Sequence, residues 1–97
     1  MADGALRGYG VLVSGGGTGI GRACAEALAA DGAVVTICGR TEASLVDAVE
    51  AIGPGYGGSV HHIVADVTSE DDVRAAVAAA VANAGNLRGV VANAGGG

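Results

Sequence analysis

The stretch that most constrains this chain runs from Val11 to Gly21 and reads Val-Leu-Val-Ser-Gly-Gly-Gly-Thr-Gly-Ile-Gly. Apolar residues lead directly into a glycine-rich segment, which predicts a buried strand, a sharp turn and the start of a helix. The first N–H groups of such a helix have no internal partner, and together with the helix dipole they attract an anion, most often phosphate. Glycine permits positive φ in the turn and leaves the backbone open to a ligand's phosphates.

The rest of the sequence alternates between β-branched apolar runs and segments with helical spacing. It predicts four strands and three helices in the order βαβαβαβ. Because helices separate successive apolar strands, the strands must pair in parallel through right-handed crossovers. The strands are predicted at Tyr9–Ser14, Ala33–Cys38, Val60–Ala65 and Leu87–Ala92, and the helices at Ile20–Ala30, from Thr41 to Ile52, and from Thr68 to Ala84.

Two of the helix starts show capping signals. Thr41 is placed to act as the N-cap of the second helix. The run Thr68-Ser69-Glu70-Asp71 has the spacing of a capping box, with Asp in place of the usual Glu at its fourth position. The third helix then carries valines at i, i+4 and i+8, which are Val73, Val77 and Val81.

Composition narrows the classes of function. The chain has 97 residues, enough for one small domain, and a net charge of −5 with no block of like charges. This charge argues against a nucleic-acid or anionic-membrane surface, and no apolar run approaches the roughly 20 residues of a membrane span. No signal peptide is apparent, and Cys24 and Cys38 fit reduced, buried residues, so we expect a cytoplasmic protein. The adjacent His61 and His62 point to opposite faces of a strand, so no metal site is expected.

The glycine spacing decides between kinds of phosphate site. The strict Gly-x-Gly-x-x-Gly fingerprint fails, because the sixth position from Gly15 is Ile20. A P-loop needs lysine after its last glycine, but Arg22 follows Gly21 and the sequence contains no lysine. The spacing that does fit is Gly15-x-x-x-Gly19-x-Gly21. Tight packing between strand and helix is the alternative explanation, but the position after the first strand of a βαβ unit favours dinucleotide binding.

At this point a family resemblance becomes specific. Leu6-x-Gly8-x-x-Val11-Leu12-Val13-Ser14-Gly15-Gly16-Gly17-Thr18-Gly19-Ile20-Gly21 resembles the opening of a short-chain dehydrogenase/reductase, with Ser14 at the position of the family's Thr. Asp66-Val67 matches the family's Asp-Val after the third strand, where the carboxylate touches adenine. Ala92-Asn93-Ala94-Gly95 matches its Asn-Asn-Ala-Gly except for the first Asn. The resemblance covers the whole chain.

The resemblance implies a fold and a set of cofactor-binding residues. The fold is a Rossmann-type α/β domain over residues 1–97, part of a doubly wound fold, with a parallel sheet in strand order 3-2-1-4 and three helices on its two faces. The implied cofactor-binding residues are Ser14, Gly15, Gly17, Thr18, Gly19, Ile20, Gly21, Asp66, Val67, Asn93, Ala94 and Gly95.

The residues after the second strand indicate which dinucleotide binds. An acidic residue there hydrogen-bonds the ribose of NAD, whereas a basic residue accommodates the 2′-phosphate of NADP. Here the turn carries Arg40 with Thr41 beside it. The planar guanidinium suits a phosphate, and a helix start usually disfavours cations, so we expect NADP in preference to NAD. Arg22 is a further candidate for the pyrophosphate, with a solvated helix surface as the alternative.

The family's catalytic residues are a Ser and a Tyr-x-x-x-Lys pair, and this sequence does not contain the pair. Tyr9 and Tyr56 are followed four residues later by Val13 and Val60. No residue is therefore predicted to be catalytic. We expect the NADP(H)-binding N-terminal portion of an oxidoreductase that interconverts carbonyls and alcohols by hydride transfer, inactive by itself.

Two alternatives remain, a non-catalytic nucleotide-binding module and a nonfunctional gene remnant. A small-molecule substrate is expected only for a full-length form. The family's oligomer contacts, which come from later helices, are not expected here.

Overall fold

The structure, a computed structural model, describes residues 6–15, 17, 19–53 and 59–92. Each predicted strand and helix is found, with bounds that differ from the predicted ones by up to two residues. The elements are β1 (Gly10–Ser14), α1 (Gly19–Ala30), β2 (Val34–Gly39), α2 (Glu42–Ile52), β3 (Ser59–Val64), α3 (Glu70–Ala84) and β4 (Gly89–Ala92).

The four strands form one parallel sheet in the order β3-β2-β1-β4, which confirms the predicted topology. Val13 of β1 lies beside Ile37 of β2 and Val91 of β4, and Ile37 lies beside His62 of β3. Because all strands run the same way, their carboxyl ends meet at one edge of the sheet. In open α/β sheets this is the edge at which ligands bind.

The helices α1 and α2 cover one face of the sheet. The largest buried side chains there are Val13, Val35, Ile37 and Leu45, each at most 1% exposed. The face of α1 against the sheet is built from Ala25 and Ala29, whose small side chains let the helix lie close to the strands. Besides these six, the core on this face contains Val11, Ala33, Ala48 and Ile52.

The other face is covered by α3, whose buried side is formed by alanines, with Val77 partly buried against the same core. Ala76 and Ala80 pack against Leu12 and Cys38, whereas Val73 and Val81 are 37% and 40% exposed. A hydrogen bond of 3.0 Å from Asn83 Nδ2 to the hydroxyl of buried Thr36 turns the alanine side of the helix toward the sheet. The small alanines let the helix lie close to the sheet.

The N-cap of α3 lies one residue later than predicted. Ser69 is the N-cap, and its hydroxyl accepts a hydrogen bond of 3.3 Å from the Asp72 N–H. Thr68 instead turns its hydroxyl to Asp66. At the start of α2, Thr41 occupies the N-cap position as predicted, but its side chain makes no capping hydrogen bond.

The start of β1 is joined to the segment before β4 by one side chain. Asn86 accepts a hydrogen bond of 2.7 Å from the Gly10 N–H and donates one of 2.9 Å to the Gly8 carbonyl. A Cβ at Gly10 would overlap the Asn86 carbonyl oxygen, so glycine permits this close approach.

Among the described residues, no helix is both long enough and apolar enough to cross a membrane.

Candidate functional site

The predicted turn between β1 and α1 has the backbone that its glycines suggested. Gly15 and Gly19 have φ of 69° and 60°, in the left-handed region that favours glycine. The Gly15 N–H donates a hydrogen bond of 2.9 Å to the Cys38 carbonyl, which ties the turn to the end of β2. A Cβ at Gly19 would meet no atom within 4 Å, so the start of α1 faces open space. The arrangement leaves room for an anion at the helix N-terminus.

The residues that flank this turn are fixed in different ways. The Ser14 hydroxyl donates a hydrogen bond of 3.4 Å to the Val91 carbonyl and so links β1 to β4. Gly21 is buried in the first turn of α1, whereas the Ile20 side chain is 74% exposed beside it. An apolar side chain exposed next to the glycine turn is available to contact a ligand at this edge.

Gly17 is buried against the first turn of α2. A Cβ at this position would lie 3.0 Å from the Ser44 Cβ and 3.4 Å from the Leu45 nitrogen. The glycine turn therefore packs against α2, the helix that follows Arg40 and Thr41. The sequence did not indicate this contact.

Arg40 and Asp66 follow the carboxyl ends of the neighbouring strands β2 and β3. Thr68 donates two hydrogen bonds to Asp66 Oδ1, of 2.9 Å from its N–H and 2.6 Å from its hydroxyl. These bonds, and to a lesser extent the Arg40 guanidinium, hold the pKa of the Asp66 carboxyl below its usual value. Asp66 is thus an oriented carboxylate that feels the charge of a cation on the neighbouring strand's end. Val67 beside it is 55% exposed.

The Asp66 backbone is fixed as well. Its N–H donates a hydrogen bond of 2.8 Å to the Asp72 carboxylate in the first turn of α3. The spacing of Asp66 and Thr68 is that of an Asx turn, a sequence signal that could have identified Thr68 as the partner of this carboxylate.

Arg22 lies between the first two helices. Its Nη1 is 3.1 Å from Asp47 Oδ2, so it pairs with α2. The two side chains are 34% and 71% exposed, and a pair this accessible contributes little to stability. The pair still restrains the start of α1 relative to α2, and Arg22 is not a fully solvated residue.

The cysteine and histidine side chains that the sequence analysis considered are buried or lie near other side chains of the fold. Cys38 is 1% exposed, and burial raises the pKa of its thiol above the usual 9.0. His61 Nε2 lies 3.1 Å from the Ser59 hydroxyl, and His62 Nε2 lies 3.9 Å from Glu42 Oε2 on α2. The described part of the chain holds no group of three side chains suited to a metal ion.

The predicted residues within the described ranges lie at or next to the carboxyl edge of β1, β2 and β3. They are Ser14, Gly15, Gly17, Gly19, Ile20, Gly21, Arg40, Thr41, Asp66 and Val67. Thr18, Asn93, Ala94 and Gly95 lie outside the residues that the structure describes.

Comparison with known proteins supports the fold and gives the family. The short chain dehydrogenase family matches residues 10–97. The chain belongs to this family. Its members bind nicotinamide dinucleotides, and a short-chain dehydrogenase/reductase of unknown function from Caenorhabditis elegans was solved with its cofactor. That structure has a TM-score of 0.78 and 29% identity, and the match covers 88% of this chain and 32% of that one.

Comparison with two further family members shows what share of their length this chain covers. The probable galactose dehydrogenase of Rhizobium meliloti is 43% identical over 89 residues, which are 92% of this chain and 35% of that protein. A short chain dehydrogenase from Mycobacterium smegmatis has a TM-score of 0.87 and 37% identity, and the match covers 97% of this chain and 40% of that one. The chain thus spans about a third of the length of the curated relatives that it matches.

The described residues fit the phosphate-bearing half of such a cofactor. The glycine turn has an open helix N-terminus at Gly19, and the next two strands end at a cation and an oriented carboxylate. A pyrophosphate suits the first feature, and an adenosine suits the second.

Proposed function

We propose that this chain is the NADP(H)-binding N-terminal part of a short-chain oxidoreductase that interconverts carbonyls and alcohols. The observation that carries the proposal is the position of Arg40. It follows β2, where dinucleotide folds recognise the adenosine ribose, and it is close enough to Asp66 to lower the pKa of that carboxyl.

A cation at this position favours a ribose that carries a 2′-phosphate. The guanidinium of Arg40 can donate two parallel hydrogen bonds to phosphate oxygens, and bonds between two charged groups are the strong ones. The exposed Thr41 beside it has a hydroxyl that is not used as a helix cap, so it can also donate to the phosphate. An NAD ribose offers neither residue a charged partner.

The glycine turn binds the pyrophosphate of the cofactor. The N–H groups at the start of α1 stabilise the pyrophosphate, and the glycines keep side chains out of its way. Asp66 and Val67 border the adenine. Thr18, Asn93, Ala94 and Gly95 complete the proposed set by their position in the family's motifs.

When bound, the nicotinamide of the cofactor supplies or accepts the hydride. The chain has no lysine and so lacks the Tyr-x-x-x-Lys pair of the family. We assign it binding and orientation of the cofactor, with no catalytic residue, and expect the 97 residues alone to be inactive. The unpaired Cys24 and buried Cys38 thiols support a cytoplasmic location.

The test is a comparison of NADPH and NADH affinity by titration calorimetry. Arg40→Ala should weaken NADPH binding on the order of tenfold or more and NADH binding by less than about threefold, because a charge-assisted hydrogen bond contributes about 1.5–3 kcal/mol. Arg74→Ala is the matched control, since Arg74 is exposed on α3 and removes the same charge. Equal losses for the two dinucleotides, or no loss, would contradict the proposal.

A further inference from the structure

The contact between Gly17 and α2 has a steric basis that the glycine motif does not explain. Gly17 is buried, and its φ is not in the left-handed region. Its lack of a side chain is therefore what permits so close an approach to α2. A Cβ there would lie 3.0 Å from the Ser44 Cβ and 3.3 Å from the Ser44 carbonyl carbon, which is tighter than an ordinary contact.

A second contact joins the same two parts of the molecule. Asp47 lies one turn after Ser44 on α2 and pairs with Arg22 in the first turn of α1, with 3.1 Å between Oδ2 and Nη1. The glycine turn and the helix start are thus attached to α2 at two points. One is the close approach of Gly17 to Ser44, and the other is an exposed ion pair.

We propose that Ser44 is a positioning residue for the glycine turn. By packing against Gly17 it fixes where the N–H groups at the start of α1 point, and it thereby sets the affinity for the cofactor's pyrophosphate. This inference rests on the proposed dinucleotide site. Ser44 does not touch the cofactor; it acts through Gly17.

The predicted effect differs from that of Arg40. NAD and NADP share the pyrophosphate, so a displaced glycine turn weakens both dinucleotides alike. Removal of Arg40 weakens mainly the one with the 2′-phosphate. The ratio of the two affinities therefore separates a positioning effect from a loss of direct contact.

The experiment is a double-mutant cycle read by NADPH and NADH affinity. Gly17→Ala places a methyl group against Ser44 and should weaken both dinucleotides on the order of tenfold, because a close-packed contact tolerates an added carbon poorly. Adding Ser44→Gly removes the Cβ in its way and should restore most of the affinity. The matched control is Ser44→Ala, which keeps the Cβ and should restore nothing. Additive effects in the cycle, or a loss confined to NADPH, would overturn the proposal.

A second measurement needs no cofactor. Amide hydrogen exchange at Gly15 and Gly19 should be faster in Gly17→Ala and should slow again when Ser44→Gly is added, but not with Ser44→Ala. Unchanged exchange in all variants would overturn the positioning role. If the unmutated protein binds neither dinucleotide, the proposed function and the affinity claim both fail. The exchange data would still decide whether Ser44 positions the turn.

Discussion

Arg40 and Asp66 follow neighbouring strands, and the guanidinium of the first helps to lower the pKa of the carboxyl of the second. The larger effect on Asp66 comes from Thr68, which donates to the same carboxylate oxygen from its hydroxyl and its backbone N–H. A carboxylate that stays ionised and a cation that acts on it therefore follow neighbouring strands at the edge where the sheet can bind a nucleotide.

Replacing Thr68 tests the origin of this pKa. Thr68→Val removes the hydroxyl that contributes most and should raise the pKa of Asp66 toward its usual 3.8, and Arg40→Ala should raise it less. Because the folded pKa is lowered, the contribution of Asp66 to stability is present above 3.8 and is lost as the pH falls through the folded value. Carboxyl chemical shifts followed by NMR through acid titration measure the effect. Arg74→Ala should leave the pKa unchanged, and a larger rise with Arg40→Ala than with Thr68→Val would refute the stated order of causes.

The N-cap residues of α2 and α3 should contribute differently to the free energy of unfolding. Ser69→Ala removes the hydroxyl that accepts the Asp72 N–H and should lower the free energy of unfolding by about 0.5–2 kcal/mol. Thr41→Ala is the matched control, because the Thr41 side chain makes no capping bond, and it should cost much less. Urea unfolding of both variants provides the comparison. A cost for Thr41→Ala equal to that for Ser69→Ala would show that the assigned caps are wrong.

The close approach of Gly10 to the Asn86 carbonyl at the start of β1 can be tested by substitution. Gly10→Ala forces a Cβ into the Asn86 carbonyl and should destabilise the protein by at least about 2 kcal/mol, since the Gly10 backbone is held there by a hydrogen bond to the Asn86 side chain. Gly89→Ala is the control in a neighbouring strand, because a Cβ there meets no atom within 4 Å. Thermal unfolding distinguishes the two. A Gly10→Ala variant as stable as Gly89→Ala would mean that the contact is not tight in solution.

Much of this architecture could be predicted from the sequence because the residues that specify it are close together in the chain. The apolar run of β1 and the glycines after it fix a strand, a turn and a helix start, and alternation with helices fixes parallel pairing. Glycines at 32, 53 and 85, each with positive φ, end the three helices where the sequence predicted.

The features that the sequence did not predict depend on contacts between distant segments. Asn86 joins β1 to the segment before β4 across 76 residues, and Ser44 meets Gly17 across two elements. The orientation of α3 was obscured for a related reason. The spacing of its valines does not show which side of the helix packs, and the side that does pack carries the small alanines and the hydrogen bond from Asn83 to Thr36.

We expect a dinucleotide to bind at the glycine turn with its 2′-phosphate at Arg40. Titration of ¹⁵N-labelled protein with NADP and with NAD, followed by amide chemical shifts, tests it most directly. We predict shifts at Gly15, Gly19 and Gly21 with both dinucleotides, and shifts at Arg40 and Thr41 that are large only with NADP. Shifts concentrated at the opposite edge, around Gly8 and Asn86, or equal shifts at Arg40 with both dinucleotides, would contradict it.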